Sequence, residues 1–360
     1  MKAPASGSVT ESPSPEPPST VEDQAVWADH PHVLWLTPDK PDNISVGRNR
    51  IAERLEADGL DVTVRGTTPS TIQASFRERE QYDAIVGTTR SGAIAGAFLR
   101  VLTGTPLVVD HVDPIRQLEE THALWLAIVV RWFENLAFWL SERVLFVYEE
   151  EEARVNRFAD ASSPTELGVD YEQIANPSPA AVEAARDRVA DYDLHDNVAI
   201  YVGGLEPIYH VESLLDSVDH LDDWSLLILG TGSLEDDVER TAASNDAIVF
   251  PGSVPHEEIP GFLHLADVGI CLVDDPRTLK VLEYGAAELP TVHLRGRSQG
   301  RFGGLLEYCD ADPERIARAV QRASERDGEA LDEFVRAYNW GDIGAQYRRA
   351  ILSTVTRIDA

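Results

Sequence analysis

From His32 onward, short apolar runs alternate with stretches whose apolar residues recur at helical spacing. His32-Val-Leu-Trp-Leu36 reads as a buried strand, and Gly47 to Asp58 as a helix closed by Gly59. Further strand-like runs follow at Asp61-Val-Thr-Val64, Tyr82-Asp-Ala-Ile-Val86, Pro106-Leu-Val-Val-Asp110 and Val144-Leu-Phe-Val147. A helical stretch from Ser91 to Leu102 lies between the third and fourth of these.

The pattern restarts after Gly168-Val-Asp170, with strands expected at Ala199–Val202, Ser225–Leu229, Ala247–Phe250, Val268–Val273 and Pro290–Leu294. Helices are expected between them, at Val211–His220, Leu234–Ser244 and near Ile259–Ala266. Strands alternating with helices indicate βαβ units and parallel, doubly wound sheets. The expected division is a Pro-rich acidic tail over 1–30 and a first Rossmann-like domain over 31–165. A second such domain spans 166–338, and a C-terminal helix over 339–360 packs back on the first. The Pro- and Ser-containing stretch Ser162–Pro179 reads as the linker.

One helix breaks the pattern. Ala123–Leu140 has only Arg131, Glu134 and Asn135 as polar interruptions and places Trp125, Trp132 and Trp139 seven residues apart. It is too interrupted to span a bilayer, which takes about 20 apolar residues. A long buried helix and an interfacial helix that turns its Trp rings to lipid both fit. The missing basic face favours the buried reading, because Glu134 and Glu142 oppose Arg131 and Arg143.

Charge narrows the function classes. The 360 residues carry 62 acidic against 31 basic side chains, a formal net charge of −31, and Lys occurs only as Lys2, Lys40 and Lys280. A diffuse acidic surface excludes a nucleic-acid partner, which needs a basic stripe. Scarce Lys with abundant Asp, Glu and Arg fits a surface hydrated in high salt, where a Debye length of about 3 Å at 1 M removes self-repulsion. Two cysteines, Cys271 and Cys309, make neither a disulfide framework nor a metal site. Residues 1–30 lack the apolar core of a secretory signal, so a cytoplasmic setting, with peripheral contact on the inner membrane face, is the expectation.

The chemistry concentrates in Asp275-Pro-Arg-Thr-Leu-Lys-Val-Leu-Glu-Tyr284. Lys280 and Glu283 sit three residues apart at a helix start that follows a strand. Helix N-termini at strand carboxyl ends attract phosphate, and a nearby carboxylate suits a sugar hydroxyl. A surface ion pair between Lys280 and Glu283 is the plainer reading. Asp275 before Pro276 also makes a good N-cap. Two glycine pairs follow strand ends, in Tyr201-Val-Gly-Gly-Leu205 and Leu229-Gly-Thr-Gly-Ser233. Either lets the backbone approach a phosphate, or simply makes a turn.

In order, Tyr-Val-Gly-Gly-Leu205, Leu-Gly-Thr-Gly232, Phe-Pro-Gly252 with Val-Pro-His-Glu-Glu258, Ala-Asp-Val268, Leu-Lys-Val-Leu-Glu-Tyr284 and Leu-Pro-Thr-Val292 resemble the donor domain of GT-B retaining glycosyltransferases of family 4. The resemblance covers most of residues 32–355 and is weaker in the first half. It implies two Rossmann-like domains facing a cleft and transfer of a sugar, with retention, from a nucleoside-diphosphate sugar to a glycan or polyprenyl-linked acceptor. No cofactor or metal is implied; the nucleotide sugar is a substrate.

It also implies site residues. Glu283 holds the ribose hydroxyls, Lys280 lies near the diphosphate, and Gly203, Gly204, Gly230 and Thr231 line the donor. Asp275 falls near the donor sugar, His111 near the reacting sugar, and Gly47 with Arg48 meets the diphosphate from across the cleft. Two phosphate-binding cations usual in the family are absent, since Gly204 and Tyr209 stand there. That departure supports a different class, a non-catalytic GT-B partner protein. A GT-B nucleotide-sugar epimerase is a further alternative, which requires an additional acid/base set.

Overall fold

The computed structural model describes residues 30–38, 43–121 and 123–355. The Pro-rich tail over residues 1–29 lies outside them. Two six-stranded parallel sheets carry the architecture. The first runs in the order β2-β1-β3-β4-β5-β6 and the second β12-β11-β10-β7-β8-β9.

In the first sheet the strands are β1 (His32–Leu36), β2 (Asp61–Arg65), β3 (Ala84–Thr88), β4 (Leu107–His111), β5 (Arg143–Phe146) and β6 (Ser162–Pro164). The second contains β7 (Asn197–Val202), β8 (Trp224–Leu229), β9 (Ile248–Gly252), β10 (Val268–Cys271), β11 (Thr291–Leu294) and β12 (Glu307–Cys309). Every pairing between these strands is parallel. Strands covered on both faces need apolar side chains on both sides, and β3, β4 and β8 are buried along their whole length. The expected α/β class with two doubly wound sheets is therefore what the chain forms.

Three local expectations change. The supposed linker begins as β6, which pairs with β5. The first helix starts earlier, at Asn43. The helix Leu124–Leu140 is not a buried one. Ala127, Ala137 and Phe138 face inward, but Trp125, Trp132 and Trp139 are 69%, 61% and 63% exposed. Leu124, Ile128 and Val129 extend that face, and Phe98, Val101 and Leu102 are exposed on the adjoining helix Thr89–Thr103. The helix packs against Thr89–Thr103, Ile115–Thr121 and Glu152–Phe158, and these leave the Trp stripe uncovered.

The chain passes from the first sheet to the second near Gly168 and returns near Asn339. Val169 donates its N–H to the Tyr338 carbonyl at 2.8 Å, and Val169 bridges Asn339. Between these crossings sits Trp340. A Cβ on Gly168 would overlap the Trp340 ring, and one on Gly47 would stand 3.1 Å from it. The helix Trp340–Val355 then lies on the first sheet, where Ile343, Tyr347, Ala350 and Ile351 join the core of Trp35, Ile51, Leu55 and Val86.

A buried polar network ties that helix down. Arg48 donates to both Asp110 oxygens, at 2.8 and 3.0 Å. Tyr347 donates to Asp110 at 2.7 Å, and Thr88 does so at 2.8 Å. Trp35 Nε1 in turn donates to Thr88 at 2.7 Å. Every member is bonded, the condition under which a buried polar cluster does not destabilise its core. No described helix is long and apolar enough to cross a membrane.

Candidate functional site

In the second sheet the strand order reverses between β7 and β10, the switch point where open α/β sheets bind ligands at strand carboxyl ends. Gly203 follows β7, and the helix Leu279–Ala286 follows β10 after a loop. Gly203 adopts φ +149°, a conformation closed to most L residues. Its N–H bonds the Leu229 carbonyl at 2.9 Å. A Cβ on Gly230 would overlap the Gly203 carbonyl, so the two glycine loops touch backbone to backbone. Leu205 N–H to Thr231 carbonyl, at 2.9 Å, continues that seam. Thr231 is exposed, and its hydroxyl donates to Glu235.

Lys280 lies directly above this seam. A Cβ on Gly203 would collide with Lys280 Cε. The ammonium sits 4.2 Å from the centre of the Tyr209 ring and 5.5 Å from that of Tyr201. The Tyr201 hydroxyl donates to the Gly204 carbonyl at 2.6 Å, which fixes its ring. Tyr209 packs beside Gly204.

Glu283, one turn further along the helix, is held above its ordinary carboxylic value. Burial is the main cause and Asp170 adds to it, while His256 and Lys280 pull the other way. Among the described residues neither Glu283 nor Lys280 forms an ion pair, so the surface-pair reading of the two fails. The geometry leaves a cation above two glycine loops at a helix N-terminus and a hydrogen-bond acceptor three residues further along the same helix. Such a set can offset a diphosphate and accept from a diol.

The other sequence-derived candidates lie elsewhere. Asp275 is not the helix cap, because the helix begins at Leu279 with Thr278 at its N-cap. Asp275 instead accepts the Arg277 N–H at 2.9 Å and the Tyr148 hydroxyl at 3.3 Å. Tyr148 follows β5, so this bond joins the two halves. Arg277 is engaged by Glu166 and by Glu149 at 3.4 Å, so it is not free to act as a phosphate cation. Arg297 reaches Glu150 at 3.7 Å. The acidic run at Glu149 thus serves as a contact between halves, a role that no local pattern announces.

Arg48 and Gly47 do not reach the cleft. Arg48 is 2% exposed and spent on Asp110, and Gly47 seats Trp340. His111 is equally buried, with Nε2 3.0 Å from Glu151 and Nδ1 3.4 Å from Glu134. Burial alone would lower its pKa, but bonds to those carboxylates outweigh it and raise it. With both nitrogens occupied, the ring has none left for a sugar. Sequence reasoning missed these partners because they are distant in the chain. It also missed Tyr201 and Asp170, although both stand inside quoted motifs.

Comparison with known proteins agrees with the switch-point geometry. Residues 196–326 match the family described as glycosyl transferases group 1. The matched segment holds both glycine loops, Lys280 and Glu283. No curated protein matches the chain by sequence. Among solved structures, Anabaena HepE in complex with UDP superposes with a TM-score of 0.70 at 15% identity, covering 90% of this chain and 100% of HepE. Sucrose-phosphate synthase from Thermosynechococcus elongatus gives 0.69 at 16%, covering 90% and 100%. WaaG, a glycosyltransferase involved in lipopolysaccharide biosynthesis, gives 0.64 at 13%, covering 89% and 99%. The fold is GT-B, and the match to the group 1 family lies within its second half.

Proposed function

We propose that the chain transfers a sugar from a nucleoside-diphosphate sugar to a glycan or lipid-linked acceptor, with retention of configuration. One observation carries the reading: Lys280 stands above touching glycine loops at the switch point, with Glu283 three residues on along the same helix and no opposite charge bonded to either among the described residues. A surface pair needs no such placement. HepE, a structural neighbour, has been crystallised with UDP-glucose, which supports a nucleotide-sugar donor here.

In this reading Glu283 accepts the ribose hydroxyls and Lys280 offsets charge on the departing diphosphate, assisted by the helix N-terminus. Gly203, Gly204, Gly230 and Thr231 line the donor. The donor sugar enters at Asp275 and replaces the Tyr148–Asp275 bond. Approach of the two halves keeps water from an activated sugar.

Calorimetry with UDP-, GDP-, ADP- and dTDP-sugars in high salt tests the reading. Wild type binds at least one, and Glu283→Ala binds none. Silence from wild type across the panel favours a non-catalytic GT-B partner, a reading that Gly204 and Tyr209 in place of cations would then explain.

The exposed Trp stripe suits an acceptor held in lipid. Indole rings settle at membrane interfaces, and the helix lies flat with its apolar side outward. Liposome flotation checks this, with loss expected when Trp125, Trp132 and Trp139 are replaced by Ser.

A further inference from the structure

Tyr209 occupies the place of a cation usual in the resembling family, yet its ring does not leave that place uncharged. The Lys280 ammonium lies 4.2 Å from the Tyr209 ring centre and 5.5 Å from that of Tyr201. At both distances the negative ring face attracts an ammonium. The Lys280 stem covers Gly203, where any Cβ would collide with it. Two rings and a bare glycine therefore define one location for a four-carbon side chain that is otherwise free to swing. No carboxylate among the described residues holds it there.

We propose that Tyr209 is a positioning residue for the donor diphosphate: with Tyr201 it cages the Lys280 ammonium over the Gly203 loop, so that one held lysine does the work of the missing cations. This rests on the donor-site reading above. A ring keeps the lysine charged and unpaired. A carboxylate at this place would neutralise it and compete with phosphate, and a second lysine would repel it. The cage orders the cation before the ligand arrives, so less side-chain freedom is lost on binding.

Two measurements test it. The first is a double-mutant cycle by calorimetry, with UDP or whichever of GDP, ADP and dTDP gives the larger heat. Tyr209→Leu should weaken binding roughly tenfold (about 1.4 kcal/mol), and Tyr209→Phe, which keeps the ring, by less than about twofold. In a Lys280→Met background Tyr209→Leu should change nothing further, which a merely structural role would not produce. Equal losses in both backgrounds, or a Phe variant as weak as the Leu variant, overturn the proposal.

The second is carbon-13 lysine NMR, which the three lysines of this chain make simple. One ε-methylene signal should lie upfield from ring currents, vanish in Lys280→Met, return to the ordinary range in Tyr209→Leu and persist in Tyr209→Phe. Absence of an upfield signal removes the cage and the proposal with it. If wild type binds no nucleoside diphosphate, the donor reading fails and takes the role of Tyr209 with it. An upfield signal in that case shows that the cage exists and that the binding claim was at fault.

Discussion

In the first half Arg48 and His111 are buried against carboxylates, whereas in the second half Lys280 and Glu283 share one helix after the switch point without a bonded counter-charge among the described residues. Both halves are doubly wound sheets of equal strand number, and both place polar residues at strand ends. What differs is the partner. Arg48 meets Asp110 and Tyr347, and through them the chain's last helix is fixed to the first sheet. Lys280 meets the Tyr201 and Tyr209 rings and the Gly203 backbone, and Glu283 feels nearby charges, but neither forms an ion pair among the described residues. Charges in the first half therefore hold the fold, and those in the second remain available to a ligand.

The sharpest way to break the comparison is to exchange the expected consequences. Asp110→Ala should destabilise the protein by about 3–5 kcal/mol in chemical unfolding, because it leaves Arg48 buried without a partner. A change below about 1 kcal/mol would mean that the network does not tether the C-terminal helix.

A pH scan gives the next largest effect. Glu151 is held down to about 2, with burial opposing and His111, the Ile115 N–H and Arg154 lowering it. Its contribution is present above the unfolded value of about 4.3 and is lost as pH falls toward 2, on the order of 2 kcal/mol. His111, raised in the fold, contributes fully below its unfolded value of about 6.5. That share disappears as pH climbs through the raised value. Glu151→Gln should flatten the acid limb of the stability profile. An unchanged limb would show that this cluster does not carry it.

Gly203→Ala is the smaller test, and it probes the second half. The new methyl must displace Lys280, so diphosphate binding should fall about tenfold, as expected for a lost charge-assisted bond of about 1.5 kcal/mol. Any accompanying loss of stability should stay within about 1–3 kcal/mol, the cost of holding an Ala in a sparsely populated backbone region. Undiminished binding would place Lys280 outside the donor site.

Most of the fold was legible because strands covered on both faces leave unbroken apolar runs, as at Val33–Leu36 and Leu226–Leu229. The three-residue edge strands β6 and β12 were not, since Ser162–Pro164 and Glu307–Cys309 become strands only by pairing with a neighbour. Lys280 and Glu283 could be read because one helix carries both. Arg48 and His111 were misjudged because Asp110 is 62 residues from the first and Glu151 is 40 from the second. Asp275 before Pro276 looks the same whether it caps a helix or closes a short turn; only the start at Leu279 separates the two. The Trp spacing located a stripe, but not which side of it a neighbouring helix would cover.

The most direct test of the donor site is calorimetric titration of wild type and Glu283→Ala with the four nucleotide sugars in high salt, alongside their unfolding midpoints. We expect wild type to bind, the variant to lose at least about 100-fold in affinity (roughly 2.7 kcal/mol), and the two midpoints to agree. Binding by Glu283→Ala equal to wild type, with both proteins folded, would contradict the assignment.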